Sequence, residues 1–449
     1  MIVKYIEKHG IKVAFFPETK RFFKVNQVAC DLIDSIVSGI TKEDIKKQFG
    51  IDDNMYEKYY SNIFNSYSKN NVINVEKSAE KSLNRLVIHL TNDCNMRCRY
   101  CYANGGAYYS QRSIMDKAIL EKLLDKFFGE FHIINTIQFF GGEPLMNYEL
   151  MEYACKIVSS IAKKRNYNIT FGLVTNGTLI DCKFIDLVKK FNIQVTISYD
   201  GNPAVNDIMR IMENGSGSSE LILKNAKWLK AETGQPNTIE VTYNQYHVDA
   251  KISILDIVKH IHDVIPDTFV HLVPAGGTKD CDYAIEDLSM FADSVREILN
   301  LKEIQPDTEY LPLYSLAQRI FFALENRDID IEHICDAGFG TISVSTKGEV
   351  YPCFMFTDDQ EMKFGSIYDE NLFTSDRMVA LEKRLHSFSV KKNNDECKEC
   401  FIRRLCNGCL GLNSFHSGSP FALSNAVCTM FRNMTEEAVI GYTKLFSTN

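Results

Sequence analysis

Fourteen cysteines stand in this 449-residue chain, and ten of them fall into two groups whose spacing could hold metal. The first group is Cys94, Cys98 and Cys101, directly after the apolar run Leu86-Val87-Ile88-His89-Leu90. A strand that runs into a cysteine-dense loop can aim several thiolates at one metal centre. A four-iron cluster takes four ligands, so three thiolates leave one iron open, and an open metal position is where chemistry takes place. The second group is Cys335, Cys353, Cys397, Cys400, Cys406, Cys409 and Cys428. Its C-x2-C pairs at 397–400 and 406–409 also have the usual spacing of structural zinc, so residue types alone admit either metal. Cys30, Cys155, Cys182 and Cys281 are scattered and read as small hydrophobes.

Bulk composition narrows the class. Apolar content of 45% against 24% charged residues is that of a globular chain, and a prior of about 150 residues per domain gives roughly three domains. The net charge of −8 carries no basic footprint, which argues against nucleic acid as the main partner. Met1-Ile2-Val3-Lys4-Tyr5-Ile6 lacks the apolar core of a secretion signal, and no apolar run approaches the roughly 20 residues that span a bilayer. A cytoplasmic chain with no membrane contact is expected. In that setting many cysteines point to metal or redox work rather than to disulfides.

The elements that must position the first group follow from hydrophobic periodicity. Strand patterns at 86–90, 134–140, 169–175, 193–199, 239–243 and 269–273 alternate with helical patterns near 116–129, 148–165, 182–191, 220–233 and 250–262. Such alternation predicts an α/β fold with a parallel sheet covered by helices, whose ligands sit at the carboxyl ends of the strands. The first cysteine group follows the first strand and Gly141-Gly142-Glu143-Pro144 the second. Thr175-Asn176-Gly177 follows the third, and Ser198-Tyr199-Asp200-Gly201 the fourth. Four such segments in register make a site. Gly141 and Gly142 would let the backbone approach a ligand closely, and Glu143 could accept from a charged amine. Asn176-Gly177 is also a standard turn pair.

In front, residues 11–16 and 21–25 read as strands around Pro17-Glu18-Thr19-Lys20. Asn26 caps a helix that Gly39 ends, Thr41 opens a second with Glu43 and Asp44 in its first turn, and a third runs from about 54 to 67. Polar residues then read as a linker. At the back, 341–345 and 348–351 form a hairpin with Cys353 at its end. The expected divisions are 1–72, a linker at 73–84, a core at 85–320 and a tail at 321–449.

C-x3-C-x2-C with Tyr100 before the last cysteine resembles the signature of the radical S-adenosylmethionine (SAM) enzymes. The resemblance implies a partial (β/α)6 barrel and a [4Fe-4S] cluster on Cys94, Cys98 and Cys101, whose open iron SAM chelates through its amino and carboxylate groups. It implies SAM contacts from Tyr100 near the adenine, from Gly141, Gly142, Glu143 and Pro144 at the amino group, and from Asn176, Ser198 and Asp200. Arg210 is a candidate partner of the SAM carboxylate, with a solvated surface arginine as the alternative. The seven tail cysteines resemble the SPASM domain, which implies two auxiliary [4Fe-4S] clusters. Cys397, Cys400, Cys406 and Cys428 would hold one, and Cys335, Cys353 and Cys409 the other. This sequence departs from the fully ligated pattern in the last gap of the quartet, two residues rather than three, and in having no cysteine shortly before Cys335. The inner auxiliary cluster then has an open iron unless Cys281, His333 or another residue supplies a ligand. The front module resembles the winged-helix-like precursor-recognition element of enzymes that modify ribosomal peptides, in which a leader adds a strand to a sheet edge. A capping or dimerisation domain has the same outline.

Together these resemblances imply a peptide maturase similar to the sactipeptide, ranthipeptide and SCIFF maturases. It would abstract a hydrogen with a 5′-deoxyadenosyl radical, form a cysteine thioether, and draw electrons from a donor such as flavodoxin or ferredoxin. C–C crosslinking, and Cys or Ser oxidation of the anaerobic sulfatase-maturase kind, are the enzymatic alternatives. A non-catalytic iron–sulfur or zinc scaffold is the alternative from another class. Loss of residues 1–70 is expected to spare SAM cleavage while weakening peptide modification.

Overall fold

The computed structural model describes residues 2–67, 81–277, 280–304 and 311–447, so most of the 73–84 stretch lies outside the described residues. Three antiparallel strands open the chain, β1 (Lys4–Lys8), β2 (Ile11–Phe16) and β3 (Arg21–Lys24), in the order β1-β2-β3. β1 goes beyond the sequence reading, because it buries only Ile6 and carries little apolar pattern. Helices Gln27–Val37, Lys42–Phe49 and Asp53–Tyr67 follow. The caps are those expected: Asn26 accepts from the Ala29 N–H at 2.8 Å and Thr41 from the Asp44 N–H at 3.3 Å.

The six expected strands form one parallel array: β4 (Ser82–Thr91), β5 (Ile133–Gly141), β6 (Thr170–Thr175), β7 (Gln194–Ser198), β8 (Thr238–Tyr243) and β9 (Phe269–Pro274). Helices Lys117–Glu130, Tyr148–Lys164, Cys182–Phe191, Ser219–Thr233 and Ile254–Val264 alternate with them. Side chains alternate between the two faces of each strand. Leu86, Ile88 and Leu90 of β4, Ile137 and Phe139 of β5, Ile239 and Val241 of β8, and Val270 and Leu272 of β9 enter the main core. The other face is left for the site.

The tail does not build a sheet of its own. β10 (Thr341–Val344), β11 (Glu349–Tyr351) and β12 (Gly365–Ser366) extend the same sheet, in the order β12-β11-β10-β4-β5-β6-β7-β8-β9. β10 runs parallel to β4, with Thr341 opposite Arg85 and Val344 opposite Ile88. All four β10 residues are buried, as for a strand covered on both faces. Residue 320 therefore marks a change of sequence pattern and not a break in the sheet.

The front module is joined to the tail as well. Ile6, Val13 and Phe15 belong to the main core, and Phe15 meets Phe401 edge-on at 6.0 Å. Lys8 and His9 reach Glu437 of the helix Asn425–Ser447 at 3.3 and 3.0 Å. Glu18 pairs with both Arg403 and Arg404, and Arg404 also pairs with Asp330. Deleting residues 1–70 would therefore also uncover core and strip Arg403 and Arg404 of a shared carboxylate, a structural cost beyond the loss of peptide modification expected from sequence.

Candidate active site

The loop after β4 is held on both sides by main-chain bonds. The Arg97 and Arg99 N–H groups donate to the carbonyls of Ile211 and Met209 at 2.7 and 2.9 Å. From the β5 loop, the Gly142 and Glu143 N–H groups donate to the carbonyls of Thr91 and Asp93, each at 2.9 Å. A Cβ on Gly142 would stand 2.1 Å from the Asp93 carbonyl oxygen, and one on Gly141, where φ is +139°, 2.3 Å from that of Thr91. The glycines are thus required by the approach of one site loop to another rather than by the approach of backbone to ligand. Gly106 makes a third such crossing, its Cβ position 2.6 Å from the Gly142 Cα.

Glu143 differs from expectation in the same way. It is fully buried, and its carboxylate accepts from the Leu145 N–H (3.0 Å), the Thr175 hydroxyl (2.8 Å) and the Asn176 N–H (2.7 Å). Three donors occupy most of a carboxylate's acceptor capacity, so Glu143 acts first as a strut between the ends of β5 and β6. Burial raises its pKa to about 7, against the pull of those donors. Pro144, also buried, opens the short turn Pro144–Asn147. Asn176 is more than half of a turn pair: its amide N–H groups face Asn95 Oδ1 at 2.9 Å and Cys94 Sγ at 3.7 Å.

Tyr100, Asp200 and Arg210 form one buried unit. The Tyr100 hydroxyl donates to Asp200 Oδ2 at 2.6 Å, while Arg210 Nε and the Thr242 N–H meet Asp200 Oδ1 at 3.2 and 3.1 Å. The guanidinium lies over the Tyr100 ring, 5.4 Å from its centroid. Asp200 is fully buried and Arg210 only 7% exposed, which overturns the surface-arginine alternative. Tyr100 is committed through its hydroxyl, and Arg210 through one edge of its guanidinium. Arg210 also acts on Cys98, partly opposing the effect of burial on that thiol. Ser198 is buried at the end of β7, opposite Glu240 of β8.

The thiols gather as the two sequence groups imply, with the tail group divided further. Burial pushes Cys94 up to about 12 and Cys98 to about 11, and Cys94 lies within electrostatic reach of Cys98 and Cys101. A cavity of about 430 Å³ opens on Cys98 and Cys101, with Asn104, Arg97 and Arg112 in its wall. In the tail, Cys397 is acted on by Cys406, Cys428 and Cys400, whereas Cys353 is acted on by Cys409 and Cys335. Cys281 is beside Tyr283, which meets Tyr100 edge-on at 6.3 Å. His333 packs on Phe339 and His386 at 5.3 and 5.4 Å. Both residues considered as a fourth ligand thus have aromatic neighbours. Among the described residues no three His, Cys, Asp or Glu side chains close on a single point as one metal ion would need.

Sequence reasoning missed several residues of the interior. Tyr102 lies near enough to Cys101 and Cys353 to be acted on by both. Lys391 is buried, its ammonium donating to the carbonyls of Ile331, Arg403 and Cys406 at 2.7, 2.7 and 2.5 Å beside the tail quartet. Glu240 and His271 stand opposite each other on β8 and β9. For Glu240 and His271 the available signal was a charged or polar residue at alternate positions of the strands, opposite the apolar face.

Comparison with known proteins agrees with this architecture. Residues 88–250 match the radical SAM superfamily, and residues 335–401 match SPASM, an iron–sulfur cluster-binding domain. The chain thus carries a radical SAM domain followed by a C-terminal SPASM domain. It is 24% identical over 389 residues to the radical SAM cyclopropyl synthase TigE of Paramaledivibacter caminithermalis, covering 82% of this chain and 76% of TigE. It is 25% identical over 389 residues to a cysteine-type anaerobic sulfatase-maturating enzyme of Clostridium novyi, covering 80% of this chain and 96% of that enzyme. Among solved structures, anSMEcpe with bound SAM superposes with a TM-score of 0.66 at 18% identity, covering 81% and 96% of the two chains. Streptococcus suis SuiB bound to its precursor peptide SuiA gives 0.54 at 16% identity, covering 93% and 96%. At these identities the structures attest the fold. A radical SAM domain joined to a SPASM domain takes SAM and [4Fe-4S] clusters, one that binds SAM and auxiliary ones in the tail. The donor sets described above fit them. Among the described residues no helix is long and apolar enough to cross a membrane.

Proposed function

We propose that this protein is a radical SAM maturase of a ribosomally made precursor peptide, and that it joins a substrate cysteine to a carbon of the peptide through a thioether. In this reading Cys94, Cys98 and Cys101 hold the SAM-binding cluster. Cys397, Cys400, Cys406 and Cys428 hold the outer auxiliary cluster, and Cys335, Cys353 and Cys409 the inner one. When bound, SAM and its cluster supply a 5′-deoxyadenosyl radical that abstracts hydrogen. The chain's own residues orient and enclose. Asp200 fixes Tyr100 and Arg210 beside Cys98, Glu143 fixes the two strand ends, and the crossings at Gly141 and Gly142 hold the cysteine loop over the sheet.

The observation that carries the thioether reading is the three-thiol set Cys335, Cys353 and Cys409, which act on one another while no fourth cysteine is among the charges acting on Cys353. Such a set leaves a place for a thiolate from the substrate. A peptide substrate is supported by the front sheet. The outer edge of β3 has no partner strand among the described residues, and Phe23 on it is 44% exposed. Tyr56, Tyr60 and Phe64 of the third helix stack in a row at 5.7 and 6.0 Å. An open strand edge suits an added strand from a leader, and an aromatic row on the same module suits its side chains. The likeness to SuiB, solved with a precursor peptide, agrees. The partners in this reading are that peptide and an external one-electron donor such as flavodoxin or ferredoxin, in the cytoplasm, with neither nucleic acid nor membrane.

A second reading, bond formation between peptide carbons, is favoured by the likeness to TigE, a cyclopropyl synthase. Anaerobic turnover with a cysteine-containing precursor separates the two. Loss of two hydrogens per crosslink together with loss of alkylable thiol is expected for the thioether. Loss of the same mass with thiols still alkylable would refute it and leave the carbon–carbon reading.

A further inference from the structure

Glu240 and His271 are register partners on adjacent parallel strands. They lie on the face opposite to Ile239, Val241, Val270 and Leu272, which enter the core. Two residues beyond Glu240, the Thr242 N–H reaches Asp200, and the charge of Glu240 acts on Arg210. From the other side comes Arg319, on the helix Ser315–Glu325, whose charge acts on His271 and which in turn feels the Cys409 thiol. The pair is thus linked by charge to the Asp200–Arg210 unit and, through Arg319, to Cys409 of the tail set.

Asp200, Glu143 and His247 of the same interior are already engaged. Asp200 and Glu143 each accept three bonds through their carboxylates or main chain, and His247 bonds the Asp200 carbonyl at 2.9 Å. By contrast, no hydrogen bond or ion pair within the described residues engages the His271 imidazole or the Glu240 carboxylate. Half-buried polar groups without protein partners are groups kept for a ligand or solvent.

We propose that His271, set beside Glu240, is the base that takes the proton of the substrate thiol. The inference rests on the thioether reading. An ordinary thiol ionises near pH 8.5, so at neutral pH its proton has to be removed before or as sulfur bonds to carbon. The step is a proton transfer alone: the S–H bond breaks, an N–H bond forms on the imidazole, a thiolate remains, and no electron moves. Burial lowers the His271 pKa below its ordinary value, so the ring is neutral and able to accept. Glu240 opposes that lowering and favours the imidazolium once formed, while Arg319 disfavours it.

The test compares wild type with His271→Ala and Glu240→Gln, counting thioether formed per deoxyadenosine released across pH 6.5–9. A positioned base contributes about 10²-fold or more. His271→Ala should therefore lose about 10²-fold in that ratio at pH 7 and recover roughly tenfold per unit as the thiol ionises by itself. Glu240→Gln should lose less, and its acidic limb should move to lower pH, because the imidazole loses the carboxylate that raises it. His271→Gln, whose amide cannot take up a proton, repeats the test if the alanine variant does not fold. A wild-type ratio and pH profile in these His271 variants, from an enzyme whose wild type consumes thiols, would overturn the base and leave the thioether reading standing. A wild type that releases deoxyadenosine but leaves every thiol alkylable would overturn the thioether reading, and the base with it.

Discussion

Gly142→Ala tests whether the site depends on the crossing of its two loops. The added Cβ would start 2.1 Å from the Asp93 carbonyl oxygen, where ordinary contact begins near 3.4 Å, so about 1.3 Å must be found. No rotamer can supply it. The obstructing atom is backbone, the Glu143 N–H donates to that same oxygen at 2.9 Å, and the Thr91 carbonyl accepts from the Gly142 N–H. The shift therefore falls on the residue next to Cys94. Overpacking of this kind costs about 1–3 kcal/mol, which leaves the chain folded, whereas a displacement of about 1 Å at a reacting centre can cost 10²-fold in rate. The assays are iron per chain after anaerobic reconstitution, the rate of deoxyadenosine release, and thermal unfolding. The expected result is deoxyadenosine release down about 10²-fold with reduced iron and a modest fall in melting temperature. Gly129→Ala is the control. It lies inside the helix Lys117–Glu130, and its added Cβ meets nothing within 4 Å, so stability should rise by about 0.5–1 kcal/mol. Wild-type iron and wild-type rate in Gly142→Ala would refute the reasoning.

Three further outcomes follow from the same geometry. Asp200→Asn leaves the Arg210 guanidinium buried without its carboxylate, so stability should fall by about 3–5 kcal/mol and SAM binding should weaken, read by thermal melting and calorimetry; an unchanged melting curve would remove Asp200 from its central place. Cys94 is pushed to about 12 and Cys98, Cys335 and Cys428 to about 11 by burial. These thiols are therefore neutral at pH 7–8, and because iron takes thiolates, loading must release protons, so iron uptake during reconstitution should rise from pH 7 to pH 8.5 and a flat profile would contradict the burial argument. Phe23→Glu at the open β3 edge should weaken precursor binding at least about tenfold, measured by fluorescence anisotropy of a labelled leader, with little change in melting because the side chain is 44% exposed.

The barrel strands were legible because each has two to four apolar residues on the buried face, bounded by glycine or asparagine turns, and the spacing of the thiols exposed the site's position. What was not legible is how the pieces join. β10 reads as one arm of a local hairpin, and nothing within Thr341–Val344 announces a parallel pairing with Ser82–Thr91 more than 200 residues earlier. Glu18 reads as a turn residue, yet it pairs with Arg403 and Arg404. Gly141, Gly142 and Glu143 stand at the end of β5 as their sequence position predicts, but a sequence does not reveal that another loop of the same chain crosses them there. Arg210 was ambiguous for the opposite reason: burial of an arginine is decided by its carboxylate partner, which lies ten residues away along a helix and a turn.

Those long-range joins bear on how two centres can work on one peptide. Cys94 follows β4 within three residues, Cys353 follows β11 within two, and β4 and β11 are both paired to β10. The spacing between the radical end and the inner tail set is therefore fixed by strand register rather than by a linker, and a one-residue slip would turn every side chain of β10 to the other face. The front sheet adds a third fixed point, since Glu18 grips the segment between Cys400 and Cys406. A substrate held at β3 would then be presented to a barrel whose two ends cannot drift apart. In the thioether reading proposed above, this rigidity would keep a carbon radical on the peptide within reach of its partner sulfur before it is lost to other acceptors. Tyr102, acted on by both Cys101 and Cys353, marks how little of the chain lies between the two ends.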